Sequence, residues 1–164
     1  MQDNISSRLA AGDKTVKPPL AEARRATWWQ TVWDKAGSYI AVALGSIIGA
    51  VARFLVSVLF LSQFGSGFPW GTLFVNVTGS FVIGFYAALT GPDGRLLVSP
   101  RQRQFVMVGI CGGYTTFSAF SLETLRLVQS GHIDTAAVYL VVSLVTWIAG
   151  VWLGHALAAR LNRL

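Results

Sequence analysis

Residues 112–123, GGYTTFSAFSLE, carry two glycines, two threonines and two serines, Thr115, Thr116, Ser118 and Ser121, inside an apolar stretch long enough to cross a bilayer. Phe117 and Phe120 share a helix face at i, i+3, with Thr116, Ser118 and Ser121 as nearby hydroxyl donors, and Glu123 closes the run. Two other segments repeat the theme. Thr72, Asn76 and Ser80 recur at intervals of four and continue to Gly84, and Tyr139 and Ser143 stand at i, i+4. Hydroxyl and amide hydrogens, with the positive edges of aromatic rings, replace the water around a small anion without a permanent charge that would trap it. The same groups would serve a polar neutral solute, so this chemistry indicates a pathway and leaves the solute open. The Asn76 stripe reads either as part of that track or as a seam gluing helices together.

The elements that position these groups are membrane helices. Of 164 residues, 53% are apolar and 12% charged, and the mean hydropathy is +0.55. A soluble domain carries about twice that charge fraction. The 13 Lys and Arg against 7 Asp and Glu give a net charge of +6, but most basic residues flank the apolar segments, where they meet lipid head groups. That placement argues against a nucleic-acid partner. Cys111 is alone, so it forms neither an intrachain disulfide nor a cysteine-rich metal site. No secretory signal peptide is visible in residues 1–35.

A helix needs roughly 20 residues to cross about 30 Å of hydrocarbon. Uncharged runs predict four, at about 38–61, 70–90, 100–129 and 134–160. Punctuation agrees: FGSGFP at 64–69, TGPDG at 90–94, Ser99-Pro100 as a cap with a first-turn proline, and Ser130-Gly131 followed by Asp134 as a stop and a new N-cap. Residues 1–36 form a basic extension on the 37–164 transmembrane domain. Its first half reads as disordered, and 20–36, with Trp29, Val32, Trp33 and Ala36 at helical spacing, reads as an interfacial helix or an aromatic belt.

From Pro100 to Gln129 a continuous helix would be about 45 Å long, so an interruption is affordable, and Gly112-Gly113 is where the sequence suggests it. Irregular backbone at membrane depth survives where it is buried in protein or lines a wetted cavity, and its freed carbonyls suit a hard cation. Arg53 is the only basic residue deep in a span, one turn beyond Gly45 and Gly49 on the same face. It either bonds backbone carbonyls or draws anions toward a pore. Charge bias predicts both termini in the cytoplasm: residues 1–37, the 91–103 loop and the C-terminus hold six, three and two basic residues, against Arg126 alone on the other side.

Across all four spans the sequence resembles the Fluc fluoride-channel family, in GSIIGAVARF (45–54), GTLFVNVTGSFVIGF (71–85), GGYTTFSAFSLE (112–123), Tyr139, Ser143, Gly150 and Gly154. Tyr114 and Ala119 depart from the expected motif. The resemblance implies an all-α membrane protein whose third helix is broken at mid-membrane, assembled as an antiparallel, dual-topology dimer in the cell membrane with two fluoride pores. Phe117 and Phe120 would be the pore phenylalanines. Asn76, Ser118, Ser121, Tyr139 and Ser143 would form the polar track with Glu123 close by, and the carbonyls of Gly112 and Thr115 would hold a structural, untransported Na⁺. A single-orientation charge bias sits awkwardly with a homodimer, so the partner is either an oppositely inserted copy or an oppositely oriented relative.

Other classes fit less well. A small four-helix multidrug exporter is expected to place an acid in its first span, where this chain has Arg53. An enzyme is disfavoured, since there is no GxSxG and neither His132 nor His155 has a metal-ligand partner at i+4. No GxxxxGK[ST] couples the chain to ATP. A structural membrane subunit remains as the alternative.

Overall fold

The structure is a computed structural model that describes residues 20–163. The chain divides into two compact units, Met1–Gly37 and Ser38–Leu164, and the groups discussed below all belong to the second. The expectations for residues 1–19 and for the Trp29 side chain lie outside the described residues.

Among the described residues every regular element is helical. Helix α1 runs Leu20–Phe64, α2 Trp70–Leu89, α3 Pro100–Gln104, α4 Gly112–Tyr114, α5 Phe117–Gln129 and α6 Ile133–Asn162, with a π-helical segment, Phe105–Cys111, between α3 and α4. Four stretches are long and apolar enough to cross a membrane: Lys35–Phe64, Trp70–Leu89, Pro100–Gln129 and Ile133–Asn162. This is a multi-pass membrane protein. Its joints follow the sequence signals. Gly65 and Gly131 take the left-handed backbone (φ +70° and +83°) that closes α1 and α5. Ser99 and Gln102 form a reciprocal capping box, with Pro100 in the first turn of α3. The last joint differs from expectation. His132 occupies the cap of α6 without a side-chain bond, and Asp134 lies in the first turn, where its charge still complements the helix dipole.

Close backbone approach sets the packing. Gly45 on α1 faces Gly109 in the π segment so tightly that a Cβ on either would lie 2.9 Å from the other's Cα. One turn on, Gly49 lies against the Ile110 carbonyl and Gly113 against Ser46. Helices α2 and α6 meet in the same manner, Gly84 on Val151 and Gly154 on Phe81. Small residues at four-residue spacing permit this where lipid provides no hydrophobic drive between helices.

The position of the irregular backbone corrects the sequence expectation. Gly112 and Gly113 are helical, and Gly113 is glycine because Ser46 backbone occupies the space of a Cβ. The extended residues are Thr115 (φ −82°, ψ 158°) and Thr116 (φ −152°, ψ 123°), after which helix resumes at Phe117.

Candidate functional site

Asn76 projects from α2 onto the two extended residues. Its Nδ2 donates to the Thr116 carbonyl at 2.9 Å, and its Oδ1 accepts from the Thr116 amide at 2.7 Å. The side-chain amide thus acts as a surrogate strand, satisfying both backbone groups of a residue that no helix satisfies. Thr116 in turn caps α5, its Oγ1 accepting from the Ala119 amide at 3.1 Å.

These two bonds take the amides that would otherwise close helical bonds onto the carbonyls of Gly112 and Thr115, four residues upstream of Thr116 and Ala119 respectively. Gly112 and Thr115 both line the same cavity of about 280 Å³. Backbone oxygens released from helical bonding are hard-cation donors, so the residues present fit the Na⁺ expectation. No cluster of three or more His, Cys, Asp or Glu side chains occurs among the described residues.

A second polar group lies at the α2–α5–α6 junction. Glu123 receives two hydroxyls, Thr72 Oγ1 on Oε1 at 2.7 Å and Tyr139 on Oε2 at 2.8 Å. Tyr139 is fully buried, as is Ser143 one turn further along α6. Phe120, 5% exposed, is wedged between the rings of Tyr139 and Trp147, with centroids at 5.1 and 4.9 Å. Those rings flank Ser143 on one face of α6. Ser143 Oγ and Trp147 Nε1 are buried without any hydrogen-bond partner among the described residues. Such orphan donors cost about 1–3 kcal/mol each and call for an explanation.

Removing one donor from Glu123 tests the coupling of this group to the fold. Tyr139→Phe leaves Oε2 without its hydroxyl in a part-buried setting. It is expected to destabilise the protein by about 1–3 kcal/mol, read as a lower unfolding midpoint in detergent. Glu123→Gln is expected to cost less, because the amide oxygen still accepts one of the two hydroxyls.

The structure brings Asn76, Phe120, Glu123, Tyr139 and Ser143 inward and leaves the other predicted track residues on the outer surface. Phe117 is 69% exposed, although its ring still meets Phe120 at 5.6 Å. Ser118 and Ser121 are also exposed, the first beside Thr116 Oγ1 and the second bonded to the Phe117 carbonyl. Arg53 adopts the backbone-bonding arrangement, its Nε donating to the Gly113 carbonyl at 3.1 Å.

Of the participants, Trp147 was not singled out in the sequence, while Thr72 and Thr116 were named as hydroxyl bearers without their partners. Thr72 stands on the same stripe as Asn76, so its place beside Glu123 was available. Thr116 is an N-cap threonine three residues before the amide it binds, a readable signal. Trp147 extends the Tyr139, Ser143 spacing by one more turn.

A second cavity, about 510 Å³, opens beside Glu123 between the end of α1, the 65–69 connection and α5, with Arg126 on its wall.

Four membrane-crossing stretches enclosing a polar row of amide, hydroxyl and carboxylate groups define a membrane transport protein. Residues 40–155 match the family described as "CrcB-like protein, Camphor Resistance (CrcB)", and the chain belongs to that family. It is 64% identical over 131 residues to "Fluoride-specific ion channel FluC 1" of Rhodopseudomonas palustris (strain BisB18), covering 80% of this chain and 93% of the relative. The protein of the same description from Bradyrhizobium diazoefficiens is 55% identical, with coverage of 80% and 92%. "Fluoride-specific ion channel FluC" of Opitutus terrae is 52% identical, with coverage of 77% and 96%.

Proposed function

We propose that this chain is a fluoride-specific ion channel that lets the anion leave the cytoplasm passively and so limits its toxicity. The observation that carries the reading is the inward polar row, Asn76, Glu123, Tyr139 and Ser143, packed around Phe120 in a chain similar along most of its length to proteins of that description.

Geometry distinguishes donors that are free from donors that are engaged. The Tyr139 and Thr72 hydrogens point at Glu123, so they hold the wall together. The Ser143 hydroxyl and the second amide hydrogen of Asn76 stay free to replace water around fluoride. Phe120 and Phe117 add ring edges of positive potential. Neutral donors bind the anion weakly at several points, as conduction requires. An inside-negative potential assists exit by about 2.3 kcal/mol per 100 mV.

The outward Phe117, Ser118 and Ser121 would line a path only when covered, which supports assembly with a second, antiparallel subunit. That subunit is a copy of this chain or an oppositely oriented relative. In this reading the extended Thr115 and Thr116 are the mid-membrane break of the third crossing. The carbonyls of Gly112 and Thr115 would hold a structural Na⁺, which would neutralise their dipoles and fix the break. The basic flanks support an inner-membrane location with cytoplasmic termini.

Purified protein in liposomes is expected to release fluoride faster than chloride by orders of magnitude, followed with ion-selective electrodes. Comparable rates for the two anions would end the proposal.

A further inference from the structure

We propose that Trp147 is a fluoride donor, its indole N–H turning into the 280 Å³ cavity beside Asn76 and Thr116 when the anion occupies it. The inference rests on the channel reading above and adds to it a residue that the reading does not use.

An indole nitrogen only donates, so a buried one cannot be satisfied by accepting a bond from a neighbour. Buried tryptophans ordinarily find a partner for this hydrogen. Here Nε1 has none, and neither does Ser143 Oγ one turn earlier on the same face of α6. Packing alone does not require the nitrogen, because a phenyl ring would meet Phe120 edge-on in the same way without an orphan donor. Tyr139, Ser143 and Trp147 therefore make one row, of which the first is engaged by Glu123 and the other two are unengaged.

A cavity adjoins the side chain. The Trp147 side chain forms part of the cavity wall together with Asn76, Thr116 and Phe117, while its nitrogen is turned away and fully buried. The movement required is a rotation about the broad outer torsion of the side chain, which would bring the N–H to the cavity side. The ligand it suits is a small species that accepts hydrogen bonds and donates none, beside the free amide hydrogen of Asn76.

The test uses ¹⁵N-tryptophan-labelled full-length protein in detergent micelles, with the Trp147 indole signal identified among the six tryptophans by its loss in Trp147→Phe, or in Trp147→Tyr should the first variant not elute as wild type. Sodium fluoride is expected to move that signal downfield in a saturable manner, and sodium chloride at equal concentration is not. In liposomes the same variant is expected to release fluoride about tenfold more slowly. An indole signal indifferent to fluoride overturns the proposal, even where flux falls, because slower flux alone then marks a packing role. Unchanged flux in the variant also overturns it. Wild-type vesicles that release fluoride no faster than chloride would sink the channel reading itself, which separates the two failures.

Discussion

Asn76→Asp is expected to reduce fluoride efflux from liposomes by at least about a hundredfold. The variant carboxylate still accepts from the Thr116 amide, but the bond from Nδ2 to the Thr116 carbonyl is lost. More important, a negative charge now stands on the pathway proposed for the anion. Two like charges about 4 Å apart repel by about 4 kcal/mol at an effective dielectric of about 20, and each 1.4 kcal/mol is about tenfold in occupancy. Asn76→Ala separates the two effects. It removes both bonds to Thr116 and adds no charge, so it is expected to lower the unfolding midpoint further and to reduce flux less. Equal efflux from wild type and Asn76→Asp would remove Asn76 from the anion's route.

Gly49→Ala is expected to prevent recovery of a monodisperse protein. Its Cβ would overlap the Ile110 carbonyl oxygen and lie 2.7 Å from the Tyr114 nitrogen and 3.0 Å from the Gly113 carbonyl carbon. All three are backbone atoms and cannot rotate aside. Relief requires α1 to withdraw from the third crossing, which also breaks the Arg53 bond to Gly113. Overpacking of flexible cores costs about 1–3 kcal/mol, and a rigid contact between backbones lies at or beyond the top of that range. Gly67→Ala is the matched control, since nothing lies within 4 Å of its added methyl and its backbone needs no positive φ. Size-exclusion profiles of the two variants in detergent, compared with wild type, decide the matter. A normal Gly49→Ala profile would show that the α1 contact yields easily.

Much of this architecture could be read before any coordinates. Span positions follow from uncharged runs, and the turns at Gly65, Ser99 and Gly131 follow from residues whose backbone or capping preferences are strong and local. The polar row was legible because hydroxyl and amide groups in an apolar run have few other uses. What the sequence concealed were pairings across helices. Glycines at 112 and 113 suggested loosened backbone, yet Gly113 is needed for close approach by Ser46, and the extended residues are threonines whose geometry is held by Asn76, 40 residues away. A glycine leaves the same trace in a sequence whether it frees the chain or admits a neighbour. Nor does i, i+3 spacing reveal that Phe120 turns inward while Phe117 faces out. The π-helical segment left no signature in composition.

That segment has a practical consequence for comparison among related chains. Bonding from i to i+5 across Phe105–Cys111 inserts a phase slip into the third crossing. Positions upstream and downstream of it therefore do not map onto one continuous helical wheel. A relative that keeps regular α-helix here would present the face after the slip rotated by about one residue's worth of azimuth. Matching residue counts would then pair a lipid-facing position with one that faces the protein, even where the identities on either side agree.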